Sequence, residues 1–94
     1  MELRFYIGPE TGRSHVEDHG VSEWEVSEVL YNPLEEFRGQ RGSIVAIGQT
    51  RAGRYLKVIY VPDEDGPDIF VVTAYDVSVK QRRALKRRLR RRGL

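Results

Sequence analysis

The chain has no cysteine, so it can hold no disulfide, no thiolate metal site and no cysteine nucleophile. A reducing compartment, and with it a cytoplasmic address, fits that absence. There is one Met, one Trp and only two His in 94 residues. No apolar run approaches the ~20 residues that a membrane-spanning helix needs. Met1-Glu2-Leu3-Arg4 is not followed by a long apolar stretch, so neither a signal peptide nor a membrane partner is expected. The phosphate-binding G-x-x-x-x-G-K-[ST] loop, the G-x-S-x-G elbow and the kinase signature are all missing, which sets aside the commonest nucleotide and acyl chemistries. Nothing calls for a cofactor.

What is present is ordinary in amount and unusual in distribution. With 39% hydrophobic and 32% charged residues, the chain suits one small domain over 1–94. A domain of this size hides roughly 60–65% of its unfolded surface. The net charge of +2 conceals a split. Nine of the 16 basic residues and none of the 14 acids follow Asp76, which leaves −7 on residues 1–76. An acidic body with a cationic tail points to an interaction surface, because no fold requires that arrangement.

The pattern along the chain predicts an α+β fold in the order β-α-α-β-β-β-β-α. Residues 3–7 read as a strand closed by Gly8-Pro9, and residues 12–19 as a short helix stopped by Gly20. Ser22 and Glu25 form an S-x-x-E capping box, with Val21 and Val26 in the positions of a hydrophobic staple. Val26, Val29 and Leu30 give that helix an inward stripe, and Pro33 ends it near Tyr31. Strands over 35–38, 43–49, 54–61 and 68–75 are joined by short glycine-bearing links, which imply antiparallel hairpins. Asp63, Glu64, Asp65 and Asp68 then belong to a hydrophilic turn; Pro67 and a missing downstream glutamate do not suit a calcium loop. The last two strands are apolar at both parities, so cover on both faces is expected. Ser78 and Gln81 form a second capping box opening a basic helix over 79–92, whose apolar stripe is Val79, Ala84, Leu85 and Leu89.

Nine of the thirteen positions from Lys80 to Arg92 are Lys or Arg, which repel one another along a helix. A polyanion such as RNA would relieve that repulsion. A solvated terminus, a helix folded back on the acidic body, or an acidic protein partner would satisfy it too. His15 and His19 are one turn apart, but two histidines make an incomplete metal site, and Glu17 and Asp18 are expected to point elsewhere on the helix, so no metal is expected. Trp24 and Tyr31, seven apart, share a helical face; packing against a neighbouring element is the ordinary role, and base stacking the sharper one. Arg51, Arg54 and Lys57 cluster around one hairpin, with Tyr55 and Tyr75 near. Cleavage of RNA through its own 2′-hydroxyl needs a base, cations at the phosphorus and a proton donor, and this chain has candidates for each. His19 or His15 would be the base, Arg54 and Lys57 the cations, and Lys80 or Arg83 further candidates.

The motifs in sequence resemble the BrnT-like toxins, relatives of the RelE ribonuclease superfamily of bacterial toxin–antitoxin pairs. The resemblance spans most of the chain. It rests on His19-Gly20-Val21-Ser22 with the Glu-Val-x-x-Val-Leu helix to Asn32-Pro33, and on Ala46-Ile47-Gly48-Gln49-Thr50. Gly53-Arg54 into Leu56-Lys57-Val58-Ile59-Tyr60, then Val72-Thr73-Ala74, and a basic helix with Gln81-Arg82-Arg83 complete it. It implies a RelE-like antiparallel sheet flanked by helices, RNA cleavage that stops translation, and silencing by an antitoxin protein. His19, Arg54, Lys57 and Tyr75 would be the catalytic set, and Arg51, Lys80, Arg83, Arg87, Arg90 and Arg91 the RNA-binding set. The sequence departs from that pattern where Tyr75 replaces an arginine, Gln81 a glutamate, and Asp18 a basic residue. The leading reading is therefore a metal-independent endoribonuclease acting on RNA or the ribosome. A non-catalytic RNA- or ribosome-binding module comes second, and a protein-interaction domain third.

Overall fold

The computed structural model describes residues 1–93. It is an α+β fold built on one five-stranded sheet. The elements are β1 (Leu3–Phe5), α1 (His15–Asp18), α2 (Glu23–Tyr31), β2 (Glu35–Arg38), β3 (Ile44–Gln49), β4 (Tyr55–Pro62), β5 (Ile69–Asp76) and α3 (Val79–Arg91). The strands lie in the order β1-β5-β4-β3-β2. No described helix is long and apolar enough to cross a membrane.

One expectation of the sheet is corrected. It is mixed rather than antiparallel, because β1 runs parallel to β5, with Leu3 opposite Ile69 and Phe5 opposite Val71. The hairpins β2–β3–β4–β5 are antiparallel, since each is closed by a short turn. β1 has no such turn to fix its direction: α1, α2 and three strands intervene before its partner. The first helix is also shorter than 12–19, a single turn over His15–Asp18. The chain before it is held instead by an isolated bridge between Ile7 and Ser14.

One face of the sheet carries the main core. Val16 of α1, Val21, and Val26 and Val29 of α2 pack on Leu56, Val58, Val71 and Ala74. Val71 and Ala74 are three apart, a spacing that ordinarily sends two strand side chains to opposite faces. A bulge reconciles them: the pairing jumps from Ile59–Thr73 to Tyr60–Val71, so Val72 is an extra residue. Gly48 sits where α2 crosses β3 most closely; a Cβ there would lie 3.0 Å from a Val29 methyl. The α2 capping box is formed, with Ser22 Oγ accepting from Glu25 N–H and Glu25 Oε1 from Ser22 N–H, both at 3.0 Å. Both staple valines are buried.

α3 covers part of the other face; beyond the helix Val45, Ile59, Val61 and Val72 line an open groove, so the cover expected on both faces is only partial. Leu85 is fully buried and packs with Ile47 and Val77, flanked by Leu34, Tyr55 and Leu89. The second capping box opens the helix, Ser78 Oγ accepting from Gln81 N–H at 3.1 Å. α3 then crosses the strands. Arg82 and Lys86 lie over the Tyr55 ring of β4 at 5.7 and 5.6 Å, Leu85 reaches Ile47 of β3, and Arg88 and Arg92 reach Glu35 of β2.

Candidate nucleic-acid interface

The basic helix answers the question of its own charge in two parts. Arg88 donates from Nε and Nη2 to the Glu35 carboxylate at 2.8 and 2.7 Å, and Arg92 adds a third bond at 3.0 Å. The Glu35 side chain is only 7% exposed, so this is a desolvated anchor. The arginines hold its carboxyl below the usual carboxylate range, the Arg88 hydrogen bonds contributing most. Two of the nine cations thus pair with a carboxylate of the body, and Arg82 and Lys86 lie over Tyr55. Lys80, Arg83, Arg87, Arg90 and Arg91 do not: each is exposed, and none has an ion pair among the described residues. Spaced three, four, three and one apart, they fall within roughly a 100° arc of the helix, centred opposite Leu85. The stripe is ~16 Å long at 1.5 Å per residue.

Arg51 is not part of that stripe. The 50–53 turn, which Gly53 closes at φ +97°, carries it to the α2 side, where it lines a groove with Leu3, Trp24 and Tyr31. Trp24 and Tyr31 are 70% and 66% exposed, so the expectation that they pack against a neighbour is corrected. α2 buries Val26 and Val29, and its outer side leaves both rings in solvent.

Arg54 has a structural place. Its Nε and Nη2 donate to both oxygens of Asp76 at 2.7 and 2.9 Å, and Nη1 donates to Gly20 O at 2.8 Å and Glu25 Oε1 at 3.0 Å. Four of the five N–H directions of a guanidinium are thereby used. The Asp76 hydrogen bonds, then those of Glu25, raise the basicity of Arg54 further, and Asp76 is held below its ordinary range by the same contact. Among the sequence candidates, Arg54 is the one whose hydrogen-bonding capacity is already spent internally.

The remaining candidates come together at the open edge of β5. β1 ends its pairing at Val71, where Tyr6 N–H donates to Val71 O, so the far half of β5 has no strand beyond it. α1 occupies that edge, tied by His15 N–H to Tyr6 O at 2.8 Å. The result is a run of rings. Tyr6 meets His15 edge-on at 5.9 Å between centroids, His15 meets His19 at 5.0 Å, and His19 lies 6.3 Å from Tyr75. Lys57, the direct cross-strand partner of Tyr75, places its Nζ 5.9 Å from the Tyr75 ring centre. His19, Tyr75 and Lys57 are thus neighbours although they are 56 and 18 residues apart in sequence.

Sequence reasoning missed Asp18 in this neighbourhood and Glu35 under α3. Asp18 does not point elsewhere: its Oδ2 lies 3.7 Å from His15 Nδ1, while Arg13 Nε donates to its Oδ1 at 3.1 Å. The i,i+3 spacing of His15 and Asp18 was the available signal. Glu35 carried no such signal, because its partners are 53 and 57 residues away. No group of three or more His, Asp or Glu among the described residues is arranged to hold a metal ion. No protein-family model matches the chain, and no curated protein matches it.

Proposed function

We propose that the protein binds RNA along the outer stripe of α3 and cleaves it at the His19–Tyr75–Lys57 cluster, in the manner of a toxin-like, metal-independent endoribonuclease. The observation that carries the reading is the row of five exposed cations without a carboxylate partner among the described residues, on a helix that two other arginines anchor to the body. The resemblance to BrnT-like toxins supports the same activity, and with it a neutralising antitoxin partner.

In the chemical step, His19 takes the proton of the RNA 2′-hydroxyl, and the 2′-oxygen attacks the adjacent phosphorus. The bond from phosphorus to the 5′-oxygen breaks, leaving a 2′,3′-cyclic phosphate. The Tyr75 hydroxyl gives a proton to the departing 5′-oxygen and is reprotonated by water. Lys57 offsets the charge that gathers on the phosphoryl oxygens. Arg54 is a positioning residue here: it ties Gly20, next to His19, to the end of the strand that carries Tyr75.

Purified protein and labelled single-stranded RNA test this. Five phosphate contacts give a slope of about −3.5 in log affinity against log salt, roughly a hundredfold loss between ~50 and ~200 mM. Replacing Lys80, Arg83, Arg87, Arg90 and Arg91 with Ala abolishes binding and leaves the melting temperature nearly unchanged. Cleavage resists EDTA, yields cyclic-phosphate ends, and is lost in His19→Ala and Lys57→Ala. Unaltered RNA affinity in the five-site variant overturns the reading. The commitment of Arg54 to Asp76, Glu25 and Gly20 favours a second reading, a non-catalytic RNA- or ribosome-binding module. Salt-sensitive binding that leaves the RNA intact, with and without ribosomes, selects it.

A further inference from the structure

We infer that Asp18 and His15 are positioning residues that fix the tautomer of His19, forming a carboxylate–imidazole–imidazole relay that leaves the lone pair of His19 on Nδ1. The inference deepens the proposed cleavage reading, since it says how the base is made ready, but the relay is a property of the protein without RNA.

The geometry leaves few choices. His15 Nε2 and His19 Nε2 are 3.4 Å apart, with the two rings nearly perpendicular at 88°. When both rings are neutral, a bond between these nitrogens needs a proton on one and a lone pair on the other. Two arrangements satisfy it, and they differ in what His19 offers outward. If His15 donates, His19 carries its proton on Nδ1 and cannot act as a base through that atom. If His19 donates, its Nδ1 is bare and can accept.

Asp18 decides between them. At 3.7 Å its Oδ2 is too far from His15 Nδ1 for a short hydrogen bond, yet near enough for its charge to favour a proton on that nitrogen. The other arrangement would set a lone pair of Nδ1 against a carboxylate. Arg13 fixes the carboxylate from its other oxygen, so Asp18 is not free to swing away from the ring. With the His15 proton on Nδ1, its Nε2 must accept, and His19 must donate from Nε2. The base of the proposed reaction is then Nδ1 of His19, which no hydrogen bond engages among the described residues. Tyr6 borders His15, and Tyr75 with Lys57 lies on the His19 side. Glu10 lines the same groove as His15, but among the described residues Asp18 is the carboxylate paired with a ring nitrogen. The relay fits in one turn because His15, Asp18 and His19 are spaced three and four apart.

The test is the nitrogen chemical shifts of both imidazoles, measured by NMR on ¹⁵N-labelled protein at alkaline pH. His15 is expected as the Nδ1–H form and His19 as the Nε2–H form. In Asp18→Ala, His15 loses its preference, and His19 loses its own although no hydrogen bond or ion pair joins the Asp18 and His19 side chains among the described residues. His15→Asn, read at His19 alone, serves as the second variant should Asp18→Ala not fold. A wild-type His15 protonated on Nε2, or a His19 tautomer that ignores both substitutions, overturns the relay. On the cleavage side, Asp18→Ala lowers kcat by about 10²-fold, within what a correctly protonated base contributes, while KM stays close to wild type. Expected tautomers in a protein that never cuts RNA reject the cleavage reading and leave the relay standing. Cleavage by a protein with the opposite tautomers rejects the relay alone.

Discussion

Removing Arg88 will destabilise the protein more than neutralising the acid it holds, and the difference can be worked from the burial of the pair. Glu35 is 7% exposed on its side chain, whereas Arg88 and Arg92 are 39% and 49% exposed. In Arg88→Ala the two shortest bonds disappear and a desolvated carboxylate keeps only Arg92. Breaking a fully buried pair from one side costs about 3–5 kcal/mol. Partial solvent access at the arginines reduces that to ~2–3 kcal/mol. In Glu35→Gln the arginines turn to water and the amide still accepts one bond, so the loss is ~1 kcal/mol. For a domain of this size each kcal/mol moves Tm by about 4–8 °C. Arg88→Ala should therefore melt roughly 10–20 °C lower, and Glu35→Gln roughly 4–8 °C lower. The double variant should cost less than the sum of the singles, because no charge is then stranded. Circular dichroism melts and urea titrations measure all three. Equal losses, or a larger one for Glu35→Gln, would refute the premise that Glu35 is the desolvated partner.

Three further outcomes follow from the same structure. Glu25, Glu35 and Asp76 have folded-state pKa values below their ordinary ones, owing first to the Ser22 backbone, Arg88 and Arg54 respectively. Their contribution is complete above about pH 5 and is lost as pH falls through the lowered values, so urea stability should drop on the acid side, less steeply in Glu35→Gln. Tyr60 is pushed up to about 12, by burial and then by its hydrogen bond to Glu36. Its protonated form is favoured by folding, so stability should fall as pH rises from about 10 toward 12; phenolate absorbance should track this, and Tyr60→Phe should remove it. Gly48→Ala places a Cβ 3.0 Å from a Val29 methyl and 3.5 Å from the α2 backbone, and should cost ~1–3 kcal/mol. Combining it with Val29→Ala should relieve the methyl contact and leave the cavity as the residual loss.

Local patterns in the sequence reached far into this fold. Both capping boxes, the staple valines, the α2 stripe and the glycine-bearing hairpins all depend on residues near one another in sequence, and their spacing is their mechanism. The direction of β1 was not legible, because three residues carry no alternation and no turn ties them to β5. The bulge at Val72 was hidden for a related reason: both parities of β5 are apolar, so a slipped phase leaves no mark. At the candidate site, the cations of α3 stood out as composition, but the division between anchor and stripe did not. It depends on Glu35, one of two adjacent glutamates, whose burial is decided by helix packing across the sheet. The role of Arg54 was obscured in the same way, since Asp76 is 22 and Glu25 is 29 residues away.

The double engagement of Glu25 reaches beyond its helix. One of its oxygens receives both the Ser22 N–H and the Arg54 guanidinium, which in turn grips Asp76. The start of α2, the entry to β4 and the exit of β5 therefore open to solvent together. In hydrogen exchange, amides of these three separated stretches should share one opening free energy, and loss of the Ser22 cap alone should loosen all of them.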